Sequence, residues 1–227
     1  MKKTARITGI LFILGFAGVV TAALTVPILN APDYLVKISE NEKQVTMGAF
    51  FQFIMAAACA GIGISLYPVL KKYNEGLALG AAGFRIIEAV FHIVGVVILL
   101  LLVTLSQEFV KAGAPDSSYF QIAGVLLQAG IKWLNDVVVL LAWSTGAMMY
   151  YYIFYQTRLI PGWLAGWGIV GITLTIIGSI LVLFRFIPTI QIVFVAPIAL
   201  QEIVLAVWLI TKGFNPTAID ADSAGQK

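Results

Sequence analysis

The chain has 227 residues, of which 60% are hydrophobic and 11% are charged. An average soluble domain has about 25% charged and about 45–50% apolar residues. The composition therefore excludes a soluble globular domain and a disordered chain, and it indicates an integral membrane protein. The net charge of +3 resides in short segments between apolar runs, which is typical of a topology signal and not of nucleic-acid binding.

Cysteine and histidine each occur once in the chain, as Cys59 and His92. A single cysteine excludes an intrachain disulfide and every CxxC redox or zinc motif, and a single histidine excludes a bis-histidine haem within one chain. The motifs HExxH and GxSxG and the P-loop are absent from the sequence. We therefore expect no metal site, no cofactor and no covalent enzymology within one chain.

Six apolar runs are long enough to cross a bilayer, which takes roughly 20 residues of helix. They cover residues 7–29, 46–70, 77–105, 133–155, 162–184 and 190–210. The pattern predicts an all-α membrane bundle of six transmembrane helices in a single domain over residues 1–214, with a short polar cytoplasmic tail at 215–227. The first run exceeds the about 7–15 residues of a signal-peptide core, so we expect it to be retained.

The start of the fourth span is ambiguous. One helix over residues 119–155 would be about 55 Å long, well beyond a bilayer core of about 30 Å. We predict that residues 133–155 cross the membrane. Residues 119–130 are then an interfacial segment, an extension of the fourth helix outside the membrane, or a re-entrant element.

Basic residues are distributed unequally between the two sides of the predicted bundle. One side has Lys2, Lys3, Arg6, Lys71, Lys72, Arg158, Lys212 and Lys227, and the other has only Lys37, Lys43, Lys111 and Arg185. The positive-inside rule therefore predicts that both termini are cytoplasmic. An aromatic belt is predicted at the same boundary, formed by Tyr67, Tyr73, Tyr150, Tyr151, Tyr152, Tyr155, Trp163 and Trp208.

Three ionisable residues share the third span. Arg85, Glu88 and His92 are spaced i, i+3, i+7, which places them within about 60° of one another on a helix. A charge at the centre of a membrane helix costs at least about 2.5–3.5 kcal/mol, so this stripe should face the bundle interior. Arg85 and Glu202 each lie about 12 Å from the cytoplasmic ends of their spans, with Glu88 about one turn away. The sequence thus predicts two carboxylates beside one arginine.

Two interpretations of this cluster remain open. If Arg85 pairs with one glutamate, desolvation and like-charge repulsion favour the protonated form of the other, as in a proton relay or a proton-coupled carrier. Alternatively, the pairing only fastens two helices together.

Other polar residues predict a weaker cluster nearer the outer face. His92, Gln52 and Asp136 fall at comparable depths, which predicts either a His92–Asp136 contact or a histidine that only packs. Lys132 and Asp136 are spaced for a local ion pair. Pro197 predicts a kink in the last span, about one turn before Glu202.

Small residues on the fifth span predict a helix contact face. Gly171, Thr175 and Ser179 are spaced by four residues, which suits close helix packing in lipid. This face packs inside the bundle or forms a homodimer.

Four segments, at residues 4–11, 85–88, 158–165 and 202–214, together resemble a known family. This is the bacterial membrane family catalogued as domain of unknown function 4386, and the resemblance extends from about Arg6 to Phe214. It implies a multi-pass protein of the bacterial cytoplasmic membrane. It implies no catalytic role for any residue, because the family has no established activity.

The sequence as a whole predicts a transporter-like bundle that handles a proton or a small solute. Its candidate residues are Arg85, Glu88, Glu202, His92, Gln52 and Asp136, with Pro197 as a helix kink. One alternative is a structural or interaction subunit of the membrane. Another is an intramembrane enzyme that acts on a lipid or a quinone. The predicted partners are the lipid bilayer and a second copy of the chain, but no nucleic acid.

Overall fold

The computed structural model describes residues 2–114 and 119–215. These ranges contain the helices α1 (Lys2–Gly15), α2 (Ala17–Leu29), α3 (Tyr34–Glu40), α4 (Glu42–Leu70), α5 (Glu75–Lys111), α6 (Tyr119–Trp133), α7 (Val139–Thr157), α8 (Gly162–Leu183) and α9 (Ile192–Thr211), and a π-helical segment π1 (Leu134–Val138). No strand occurs in them, which confirms the all-α fold. The predicted polar tail lies outside the described residues except for Asn215.

Six helices in the described ranges are long and apolar enough to cross a membrane. They are Lys2–Leu29, Glu42–Leu70, Glu75–Lys111, Tyr119–Thr157, Gly162–Leu183 and Ile192–Thr211. The first of them is divided at Phe16 into α1 and α2. The protein is therefore a multi-pass membrane protein with six spans. The cytoplasmic location of its termini stays a prediction.

The fourth span is one helix of 39 residues, in which α6 continues through π1 into α7. Residues 119–130 are thus an extension of the fourth helix, and a separate re-entrant element is wrong. The π-helical turn accommodates an extra residue in the helix, a feature that is frequent at functional sites.

The long helices close into a ring at one end of the bundle only. In the half that contains α1, neighbouring helices follow the order α1, α4, α5, α7, α8, α9 and back to α1. In the other half, α2 packs against α4 and α3 but has no extensive contact with π1, α8 or α9. A space therefore remains between α2 and the fourth span.

An aromatic core fills the closed half. Phe12, Tyr150, Tyr151 and Phe154 are at most 2% exposed. The ring centroid of Tyr150 lies 6.4 Å from that of Phe12 and 5.8 Å from that of Phe154. These rings fill much of the interior of this half of the bundle.

The predicted aromatic belt is wrong for two of its members. Tyr150 and Tyr151 are buried, whereas Tyr152 and Tyr155 on the same helix are exposed. Consecutive helix residues point in different directions, so a run of tyrosines cannot lie wholly on the lipid-facing side. The Tyr151 hydroxyl instead donates a hydrogen bond to Gln201 Oε1 at 2.5 Å.

The open half ends in a small apolar cluster outside the main core. Leu35 of α3, Phe109 of α5 and Phe120 of α6 pack together there. Nearby, the Gln128 amide donates to the backbone carbonyl of Leu29 at 2.8 Å, which ties α6 to the end of α2. The two walls of the space are thus joined at this end.

The small-residue face of α8 is buried against α9. A Cβ atom on Gly171 would lie 3.0 Å from the Cα of Ile198, so the backbones approach closely. Thr175 Oγ1 donates to the carbonyl of Phe194 at 2.9 Å, three residues before Pro197. This bond joins α8 to α9 beside the Val193 carbonyl, whose helical donor is missing because Pro197 has no N–H. The face is used inside the bundle, and a homodimer stays a prediction.

The contact between α1 and α9 gives a test of ring closure. A Cβ atom on Gly9 would lie 2.7 Å from the backbone oxygen of Ala206, whereas one on Gly83 would meet nothing within 4 Å. We expect Gly9→Ala to lower the free energy of unfolding by about 1–3 kcal/mol through overpacking. Gly83→Ala is the matched control: its methyl group meets nothing, so helix propensity alone should leave the free energy of unfolding unchanged or raise it by up to about 1 kcal/mol. Denaturation in mixed micelles, followed by far-UV circular dichroism, measures both; equal stabilities would contradict the closure at Gly9.

Candidate functional site

Two glycines bring neighbouring helices against Arg85. A Cβ atom on Gly63 of α4 would lie 2.9 Å from Arg85 Cβ, and one on Gly146 of α7 would lie 3.4 Å from the Arg85 backbone nitrogen. The arginine is accordingly only 2% exposed. Its helix is thus held between α4 and α7 at this level, with the charged side chain inside the bundle.

The charge of Arg85 is balanced within its own helix. One guanidinium nitrogen, Nη1, lies 2.9 Å from Oε2 of Glu88, and both side chains are almost fully buried. Although this distance makes an ion pair, its angles are not those of a hydrogen bond, so Oε2 has no hydrogen-bond partner. Arg85 Nε also donates to the carbonyl of Cys59 at 3.4 Å, a long contact that links α5 to α4.

His92 continues the same stripe one turn further along α5. Its Nδ1 lies 2.9 Å from the side-chain amide of Gln52 on α4. Its Nε2 lies 3.8 Å from Glu88 Oε1 and has no hydrogen-bond partner. The predicted convergence of Gln52 and His92 is present in the structure, as is the Arg85, Glu88 and His92 stripe.

Glu202 reaches the same region from α9 but does not pair with Arg85. Its carboxyl faces the indole of Trp143 and the hydroxyl of Tyr150. Neither Oε1 of Glu202 nor the Tyr150 hydroxyl attains hydrogen-bond geometry. Glu202 thus lies at the cluster, as its depth along the span predicts. The ion pair of Arg85 forms with Glu88 instead.

A cavity of about 440 Å³ lies against these groups. Its polar lining includes Gln52, Cys59, Arg85, Glu88, His92 and Glu202. The rest of the lining is largely apolar. A pocket of this kind, with a few convergent polar groups in apolar walls, is typical of small-molecule sites.

The cavity occupies the space between α2 and the fourth span. Val19 and Val26 of α2 line one wall, and Leu134 and Asn135 of π1 line the opposite wall. In the described residues α2 and π1 lack extensive contact with each other, and the cavity lies between them.

Other sequence-predicted residues lie apart from the cluster. Asp136 accepts a hydrogen bond from the Thr189 hydroxyl at 2.6 Å, and it does not contact His92. No ion pair between Lys132 and Asp136 occurs in residues 2–114 and 119–215. The helix α9 continues through Pro197.

Sequence reasoning missed several residues of the site. In the sequence, Cys59 looks like an ordinary small residue of an apolar span. Trp143 likewise looks like an ordinary aromatic residue of a span. Gln201 was missed too, although a glutamine beside an intramembrane glutamate is a usable signal. Its amide donates to the Leu164 carbonyl at 2.9 Å and its Oε1 accepts from Tyr151, so it joins α9 to α7 and α8.

Comparison with known proteins gives one match. The family described as Domain of unknown function (DUF4386) matches residues 7–213, which is nearly the whole chain. The chain belongs to this family. No curated protein and no solved structure matches it.

The segments that resemble the family divide between the site and the closed end of the bundle. Ala5, Leu159 and Phe214 come from three of these segments and share one core cluster. The backbone nitrogen of Asn215 donates to the Leu159 carbonyl at 2.8 Å, which fixes the end of the described chain there. Arg85 and Glu88, in contrast, line the cavity.

The buried ion pair predicts a distinctive mutational pattern. Arg85→Met leaves Glu88 buried without a countercharge and should lower the free energy of unfolding by about 3–5 kcal/mol. The double variant Arg85→Met, Glu88→Leu removes both charges and should recover most of that loss. Denaturation in mixed micelles measures the two variants beside the wild type. A double variant as unstable as Arg85→Met would show that the two residues do not act as a pair.

Proposed function

We propose that this membrane protein binds and moves a proton or a small solute at a centre formed by Arg85, Glu88 and Glu202. We also propose that it resides in the bacterial cytoplasmic membrane with both termini in the cytoplasm. The observation that carries the proposal is the set of buried polar atoms without protein partners beside a cavity. These atoms are Nε2 of His92 and Oε1 of Glu202, neither of which has a hydrogen-bond partner.

Buried polar atoms are almost always satisfied by protein, water or a ligand. Protein supplies no hydrogen-bond partner for these two atoms, and both residues line a cavity of about 440 Å³. That volume falls within the roughly 300–1,000 Å³ of small-molecule pockets and is ample for several waters. Water or a polar solute in the cavity would therefore complete the cluster.

The charge arrangement supports proton handling. Arg85 is balanced by Glu88, so Glu202 is an additional carboxyl, with its Oε1 buried, that has no ion-pair partner among the described residues. A group of this kind carries its own charge only at a high cost and is neutral when it holds a proton. Exchange of that proton with water in the cavity would give the protein a carrier at mid-membrane.

A structural role is the second candidate. Its support is the contact from Arg85 Nε to the Cys59 carbonyl, which joins α5 to α4. The ion pair itself lies within α5 and fastens no second helix. A packing device also gives no reason for an adjoining cavity with unsatisfied polar atoms.

Water access to the cavity is the first test. In a Cys59→Ala background, Thr25→Cys and Glu202→Cys place single thiols on the cavity lining, and Ile64→Cys places one on the lipid-facing side of α4. A membrane-impermeant thiol reagent should label the two cavity positions in intact cells or inverted vesicles but not Ile64→Cys. The exposed position Glu108→Cys serves as the positive control. Labelling at Glu108→Cys without labelling at either cavity position would show that water does not reach the cluster and would contradict the proposal.

Proton movement is tested in liposomes with an internal pH dye. The wild type should dissipate an imposed pH gradient, and Glu202→Gln should not, because an amide cannot release the proton. Glu108→Gln removes a carboxylate from an exposed ion pair with Lys111 and should behave as the wild type. Equal fluxes for Glu202→Gln and the wild type would contradict a role for Glu202 in proton transfer and favour a structural centre.

A further inference from the structure

Three side chains of different chemistry converge beneath the cavity. One ligand atom from each of Cys59, Glu88 and His92 can be chosen so that all three lie within 4.8 Å of one another. The three residues are at most 4% exposed, and all line the cavity. Thiolate, carboxylate and imidazole are the three ligand types that zinc uses in proteins.

We propose that Cys59, Glu88 and His92 form a binding site for a borderline divalent metal ion of the Zn²⁺ type. Zinc bonds of about 2.0–2.3 Å in a tetrahedron place neighbouring ligand atoms roughly 3.3–3.8 Å apart. The distance between His92 Nε2 and Glu88 Oε1 is 3.8 Å, close to that spacing. The Cys59 sulfur lies within 4.8 Å of a ligand atom of each of the other two residues.

The imidazole nitrogen that would bind the metal is free. Nε2 of His92 is buried without a hydrogen-bond partner, which needs an explanation in a native core. On the other side of the ring, Nδ1 lies 2.9 Å from the Gln52 amide. With the amide oxygen turned to this nitrogen, Nδ1–H donates to it and Nε2 presents its lone pair to the metal.

The groups around the ligands match those that orient metal ligands in known sites. Ligating carboxylates and imidazoles are usually held by further hydrogen bonds or charges. Glu88 would bind the metal through Oε1 while Oε2 stays on Arg85, at 2.9 Å. Gln52 holds the ring of His92. Each of these two ligands therefore already has an orienting partner.

The charges of the loaded cluster cancel. The Cys59 thiolate and the Glu88 carboxylate compensate a divalent cation, and the Glu202 carboxylate compensates Arg85. Neutrality matters because an unbalanced charge is costly in the interior of a membrane protein. In the metal-free protein, protons on Cys59 and Glu202 give the same total, so metal binding would release protons.

The proposed site has only three protein ligands. Catalytic zinc sites share this number and keep a fourth position for water or substrate. Here the fourth position faces the cavity, which all three ligands line. The metal would therefore contact whatever enters between α2 and π1.

This inference rests on the cavity described above but not on proton transport. The test is a Co²⁺ titration of the purified protein in detergent after treatment with a chelator, followed by absorption spectroscopy. A thiolate-to-cobalt charge-transfer band can come only from Cys59, because the chain has no other cysteine. We expect one Co²⁺ per chain, this band in the near ultraviolet, and its loss on addition of Zn²⁺.

Variants assign the ligands. Cys59→Ser should abolish the charge-transfer band, and His92→Gln should abolish or greatly weaken Co²⁺ binding. Gln52→Ala should weaken binding by about 10–100-fold through loss of ring orientation. Asp136→Asn is the matched control, since this buried carboxylate bonds to Thr189 away from the cluster, and it should bind as the wild type.

Two outcomes would overturn the inference. The first is the absence of a thiolate band in wild-type protein that is monodisperse and helical. The second is unchanged Co²⁺ binding in both Cys59→Ser and His92→Gln. The titration involves no transport, so its result is separate from that of the proton-flux assay: metal binding without flux leaves the site intact, and flux without metal binding refutes only the site.

Discussion

The burial of one guanidinium group is the constraint on which the centre of this bundle depends. Arg85 cannot lose its charge, and the apolar interior cannot solvate it, so compensation has to come from nearby side chains. Glu88 supplies it from one turn away on the same helix, at 2.9 Å. The close approach of α4 and α7 through Gly63 and Gly146 shields the pair. With the arginine balanced locally, Glu202 and His92 are left free to meet whatever occupies the cavity.

The features that follow from helical periodicity could be predicted from the sequence. Length and hydropathy identify six spans because a bilayer requires a fixed length of apolar helix. The stripe of Arg85, Glu88 and His92 follows from angular spacing on one helix and needs no knowledge of its neighbours. The positions of Glu202 and Gln52 near this stripe could also be predicted from their depth in the membrane. Residues of different helices that cross the same bilayer can be compared by their depth along the membrane normal.

Features that depend on rotation about a helix axis could not be predicted. Depth does not tell which way a side chain points, so Asp136 was expected near His92 but bonds to Thr189. The π-helical turn that carries Asp136 changes the direction in which the following residues point around the helix axis. No pattern in the sequence predicts that turn. Tyr150 and Tyr151 were assigned to the interface for the same reason, since burial depends on the neighbouring helix. Cys59 belongs to no periodic pattern in the sequence. Only the packing of α4 against α5 shows that it lies close to Glu88 and His92.

The seam between α1 and α9 determines from which directions the cavity can be reached. It is closed by the backbone of Gly9 against the backbone oxygen of Ala206, and the aromatic core lies behind it. A side-chain rotation can open a passage that a side chain blocks, but it cannot open one that two backbones block. A passage across this seam would therefore require the backbone of α1 to move relative to that of α9.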